Sequence, residues 1–189
     1  MRRRLTVSFT AILITMHFSS CKDLFQNEFS NNGSISQFVK LDSLLKSNAV
    51  KLKGRKMAKV VLLDGEQETM NFIADSALLA GDFELFADID ISKPTFFGEY
   101  DIDKSNRSET YKRKGKKGPQ WVVLKRGNSS KPTQIEAEYL ETNLLFDSRR
   151  DYKLILDQTT NEITEYQFSG YQKLVFKDTV FFSVTGKFL

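Results

Sequence analysis

Histidine and cysteine are almost missing from this sequence. The 189 residues hold one of each, and both fall near the start, as His17 and Cys21. Everything after Cys21 therefore lacks imidazole and thiol. That excludes from this portion Ser-His-Asp and Cys-His catalysis, the usual His/Cys zinc sites and any intramolecular disulfide. Carboxylate, Lys, Tyr and Ser chemistry stays open. Proline is scarce, with Pro94, Pro119 and Pro132 each at an expected connection. Long hydrophobic runs are absent as well. The apolar stretch Leu5–Phe18 spans 14 residues, short of the roughly 18–20 that a membrane-crossing helix needs.

What stands at the start is an export pattern. Arg2-Arg3-Arg4 precedes Leu5–Phe18, which contains no acidic residue and no proline, so the two match the n-region and h-region of a secretory signal peptide. Phe18-Ser19-Ser20-Cys21 follows and resembles a bacterial lipobox, with an apolar residue, two small residues and the cysteine to be acylated. Residues 1–20 are expected to be removed as a signal peptide and Cys21 to be lipidated. The other reading is an ordinary signal peptide cleaved near Ser20, leaving Cys21 as a free thiol. One acyl chain binds membranes only marginally, at about 0.8 kcal/mol per buried CH₂, so a durable anchor needs the two or three chains of a bacterial lipoprotein. Cleavage would take three of the 28 basic residues and none of the 24 acidic ones, leaving +1. The basic character of the whole chain is then a property of its leader, and nucleic acid is not an expected partner.

Residues 21–35 read as the lipidated end and a tether, closing on an Asn/Ser/Gly cluster. Residues 36–189 read as one globular domain. From Ser36, a candidate N-cap, the positions Phe38, Leu41, Leu44 and Leu45 share a helix face, with Asn48 ending the helix. Met57–Leu63 and Glu66–Phe72 flank Asp64-Gly65, the signature of a type I′ hairpin. Residues 75–91 fit a helix behind an Asp75 cap as well as an alternating strand. A helix to about Ala87 is the preferred reading. Strands are expected over Phe97–Asp103, Glu109–Arg113, Gln120–Lys125 and Thr133–Leu140, and around Tyr152, Leu154 and Leu156. Thr160-Asn161 would turn the chain into Ile163–Phe168. Leu174–Phe176 and Val180–Val184 would follow as closing strands around a Lys177-Asp178 turn. The fold class is α+β, mainly antiparallel: a curved sheet, sandwich or open barrel with one or two helices in the N-terminal half.

Several segments are similar to those of a family of small, uncharacterised lipoproteins from the Bacteroidetes. They are Gly65-Glu66-Gln67-Glu68-Thr69, Phe83-Glu84-Leu85-Phe86, Asp90-Ile91-Ser92-Lys93-Pro94, Gly98-Glu99-Tyr100, Ser169-Gly170-Tyr171-Gln172-Lys173-Leu174 and Thr185-Gly186-Lys187-Phe188. The resemblance implies the export route and the fold, and carries over no activity.

The most conspicuous polar feature is the basic run Lys112, Arg113, Lys114, Lys116 and Lys117. Clustered lysines hold anions such as lipid phosphates or acidic polysaccharide. A solvated, lysine-rich hairpin turn, protecting the sheet edge, is the preferred reading of the run. Asp88-Ile89-Asp90 and Asp101-Ile102-Asp103 resemble the start of a calcium loop, but Lys93 stands where that loop needs glycine. Alternation in a half-buried strand is the better account of both. No motif implies a metal or cofactor. Fourteen phenylalanines, six tyrosines and Trp121 lie beyond the leader; core packing explains most of them, and some could line a ligand cavity. The expected protein is a non-enzymatic binding or assembly module of the cell envelope. It would be lipid-anchored, at the outer membrane and facing the periplasm or the surface, with an envelope protein or a hydrophobic ligand as partner. The alternative is a hydrolase of envelope polysaccharide using two carboxylates.

Overall fold

In a computed structural model the described residues are 38–128 and 131–189. The leader, Cys21, the tether and Ser36 lie outside them. Alternation and turn chemistry produce nine strands: β1 Lys56–Leu63, β2 Glu66–Ile73, β3 Tyr100–Lys104, β4 Ser108–Arg113, β5 Gly118–Arg126, β6 Pro132–Thr142, β7 Phe146–Leu156, β8 Ile163–Leu174 and β9 Thr179–Phe188. Helices α1 (Leu41–Lys51) and α2 (Ser76–Glu84) precede β1 and β3. All strands join one open antiparallel sheet in the order β2-β1-β9-β8-β7-β6-β5-β4-β3. The chain meanders from β3 to β9, and the N-terminal hairpin adds to the β9 edge.

The hairpin forms because Asp64 (φ 49°) and Gly65 (φ 91°) both accept the left-handed backbone that a two-residue I′ turn requires. The ambiguity over 75–91 resolves as helix. The Asp75 carboxylate accepts from the amides of Ala77 (2.8 Å) and Leu78 (2.9 Å), capping α2, and the chain tightens into a 3₁₀ turn over Leu85–Ile89. Leu79, Phe83, Phe86 and Ile89 are all buried, so helical spacing outweighs alternation here. This also corrects the reading of Asp88-Ile89-Asp90 as strand. Only Asp101-Ile102-Asp103 is one, in β3.

Both helices cover one face of the sheet. Phe83 and Phe86 meet Tyr166 edge-on at 5.6 and 6.2 Å between ring centroids, Phe86 meets Tyr152 at 5.5 Å, and Phe38 meets Tyr111 at 5.3 Å. Val122, Leu124, Ile135, Ala137 and Leu154 complete this face of the core. Gly186 leaves room for it: a Cβ there would sit 2.3 Å from the Tyr166 ring. The Tyr166 hydroxyl donates to Asp82, whose carboxylate holds Lys59 of β1 at 2.7 Å, pinning α2 to the sheet.

Three boundaries differ from expectation. The first helix begins at Leu41 with no side-chain cap, and Asn48 lies within it as a buried anchor. Phe97 follows the 3₁₀ turn Pro94–Phe96 and precedes Gly98, whose φ of 81° turns the chain before β3 starts. Most consequentially, Ile163–Leu174 is one long strand, and Val175 and Phe176 lie in the turn after it, not in a strand of their own. Gly170 lets that strand pass close to β7, since a Cβ there would come 2.1 Å from the Arg149 carbonyl oxygen. Pro119 sits inside β5 next to a register shift, where the missing N–H is tolerated.

Candidate functional site at one end of the sheet

Successive turns of an antiparallel meander alternate between the two ends of the sheet. The registers place four turns at the same end: 64–65, 114–117, 143–145 and 175–178. These turns are tied to their neighbours. The Val175 amide donates to the Leu145 carbonyl (3.1 Å), Asp64 N–H donates to Phe181 O (2.9 Å), and Phe181 N–H donates to the Asp64 carboxylate (2.8 Å). The Lys114 amide donates to Glu99 O (2.9 Å), which brings the 94–99 segment to this end too.

The basic run divides once it is folded. Lys112 is exposed on the sheet face away from the helices, beside its cross-strand partner Trp121. Arg113 is half-buried, its guanidinium 5.3 Å from the centre of the Phe96 ring. It packs so closely on Gly118 that a Cβ there would fall 2.1 Å from Nη1. Lys114 reaches Asp101 at 3.3 Å, an exposed pair of little energetic weight. Lys116 and Lys117 project from the turn into solvent. The run is therefore spread over a sheet face, a packed position and a turn. Its last two lysines stand at the tip of this turn, at the same end of the sheet.

Beside them stands a feature that the sequence pattern did not reveal. Leu144 is 93% exposed and Phe176 95% exposed, and Leu63, Phe97, Leu145, Val175, Val180 and Phe181 are also open to solvent. Among the described residues, these are eight of the thirteen exposed large apolar side chains, so the exposure is concentrated and not scattered. The legible signal was position: Leu144-Leu145 follows Asn143, and Val175-Phe176 precedes Lys177-Asp178, so both pairs stand within turn-forming sequence.

Elsewhere the polar face holds a shallow depression of about 180 Å³ lined by Trp121, Glu136, Asp151, Lys153, Gln167 and Ser169. Carboxylates on this face have cationic neighbours: Glu136 with Lys125 (3.4 Å), and Glu138 and Asp151 with Arg149 (2.9 and 3.2 Å). Burial alone would raise the Glu109 carboxyl, but the Tyr111 hydroxyl and Arg126 bonded to it outweigh burial and hold it below the ordinary range. Asp157 is also held low, by the amides of Thr160 and Thr159. A general acid working near neutrality needs the opposite shift. Burial pushes the Tyr100 hydroxyl up to about 12, and this hydroxyl donates to Pro119 O. The helices fill the covered face of the sheet with core side chains. Between them a cleft of about 350 Å³ opens over Ala49, Ala80 and Phe83, edged by Asp42, Lys46 and Glu84.

No family model, curated protein or solved structure matches the chain.

Proposed function

We propose that this chain is an exported bacterial lipoprotein, held in the cell envelope through an acylated Cys21, whose domain 36–189 acts at that membrane as a non-enzymatic binding or assembly module. The observation that carries the reading is the order of the first 21 residues: three arginines, a 14-residue apolar stretch, and then Phe18-Ser19-Ser20-Cys21. It is consistent with this that no helix among the described residues is long and apolar enough to cross a membrane. Residence at the outer membrane, and kinship with the Bacteroidetes lipoproteins it resembles, belong to the same proposal. The partner is an envelope protein or lipid. Labelled palmitate should enter the wild-type protein and not a Cys21→Ala variant. Label in both, or in neither, would overturn the anchor.

A further inference from the structure

We infer that the end of the sheet carrying the turns 114–117, 143–145 and 175–178 is a second, peripheral membrane contact, resting on an anionic lipid surface with its apolar side chains in the headgroup layer. The inference rests on the envelope reading above. It has three supports.

The first is the exposure itself. Leu144 and Phe176 are almost entirely in water at the tips of adjacent turns, and Leu145, Val175 and Phe181 stand beside them. Nothing in the core requires these side chains, whereas a lipid interface gains from each apolar group it buries. The second is charge. The four turns 64–65, 114–117, 143–145 and 175–178 carry four lysines, one of them paired with Asp101, against two aspartates, and Glu99 adds a third carboxylate at this end. One of those aspartates, Asp64, turns back to accept the Phe181 amide. Lysines standing beside exposed apolar tips are the pattern that binds anionic headgroups. The third is reach. From Phe38, where the described chain starts, 17 residue steps back to Cys21 span up to about 60 Å when extended. An anchor at Cys21 therefore allows this end to reach the bilayer that holds it, and tethering raises its effective concentration there.

The test places an environment-sensitive thiol fluorophore at Leu144→Cys, or at Thr159→Cys in a turn at the opposite end, using the full chain. It is run with Cys21 acylated and again in a Cys21→Ala background, on vesicles of phosphatidylethanolamine with and without phosphatidylglycerol. The expected result is a blue shift and quenching by nitroxide-bearing lipids at 144, and neither at 159. Adding Lys116→Gln and Lys117→Gln should raise the vesicle concentration needed, in the Cys21→Ala background, about thirtyfold on anionic vesicles. Phe176→Asp should weaken the signal at 144 while leaving the thermal transition in place. A probe at 144 that stays in water on both vesicle types overturns the inference. Its protection only in native membranes would do so in favour of a protein partner. Because the Cys21→Ala arm reads the tip without the acyl chains, failure of the anchor and failure of the tip are separate outcomes.

Discussion

The two ends of the sheet solve the same problem, turning a strand back on itself, in opposite ways. At the end formed by 105–107, 127–131 and 157–162, the described turn residues are polar or glycine, and they are stitched together. Asp157 accepts from Thr159 and Thr160 at 2.8 Å each, Lys131 reaches Thr159 O at 3.2 Å, and Arg55 pairs with Glu162 at 2.7 Å. The buried Asn48 side chain extends from α1 to accept from Ile163 N–H (2.8 Å) and to donate to Asn161 O (3.4 Å). The exposed apolar residues there, Ile73 and Leu189, stand at a strand end and at the last residue. At the other end the backbones are joined just as firmly, yet Leu144, Leu145, Val175 and Phe176 point into water. One end covers its turns with polar contacts made within the molecule, and the other leaves large apolar side chains open to solvent.

The largest effect should come from comparing one residue type across this divide. Phe86 is fully buried between Tyr152 and Tyr166, so Phe86→Ala should cost about 3–5 kcal/mol in urea unfolding. Phe176→Ala should change stability by less than about 0.5 kcal/mol; a large loss there would mean that the tip is packed after all. At the polar end, Asn48→Ala leaves the Ile163 amide without its partner and should cost roughly 1–3 kcal/mol. A neutral result would show that water replaces the side chain.

A smaller effect is expected from Glu109, which joins Tyr111 and Arg126 near the polar end. Its folded-state value is depressed. Its contribution is therefore fully present above the unfolded value of about 4.3 and is lost as pH falls through the folded value. Glu109→Gln should lower stability by about 1 kcal/mol at pH 7, with the gap to wild type closing in acid; a gap constant with pH would refute the linkage. The smallest change belongs to Leu144→Asp. It should leave the unfolding midpoint within about 0.5 kcal/mol of wild type while reducing association with anionic vesicles.

Much of the fold was legible because local chemistry and tertiary packing agree. Asp64-Gly65 adopts the turn its residue types favour. Asp75 caps the helix it precedes, and the alternation of Val122 with Leu124, of Ile135 with Ala137, and of Tyr152 with Leu154 and Leu156 matches the buried face. Of the boundaries that differ from expectation, Phe97 and Val175-Phe176 lie at the apolar end, while the limits of α1 and the Asp88-Ile89-Asp90 triplet lie elsewhere. A hydrophobic side chain in a sequence is read as a vote for the interior, and at Leu144-Leu145 and Val175-Phe176 the one local mark of an exception is their place within turn-forming sequence. Disagreement between a consistent pattern and its setting is expected where a surface serves function more than stability.

By itself the sequence determined the absence of histidine and thiol chemistry beyond Cys21, the α+β antiparallel class and most of the strands. Each of these depends on residue type and short-range spacing alone. Only the tertiary structure decided that the basic run breaks into packed, paired and projecting members. It alone decided that α1 and α2 occupy the same sheet face, and that turns up to 111 residues apart in sequence meet as one apolar, lysine-fringed end. The reason is that strand order is fixed by long-range pairing. Which turns share an end follows from that pairing, and no window of neighbouring residues contains it.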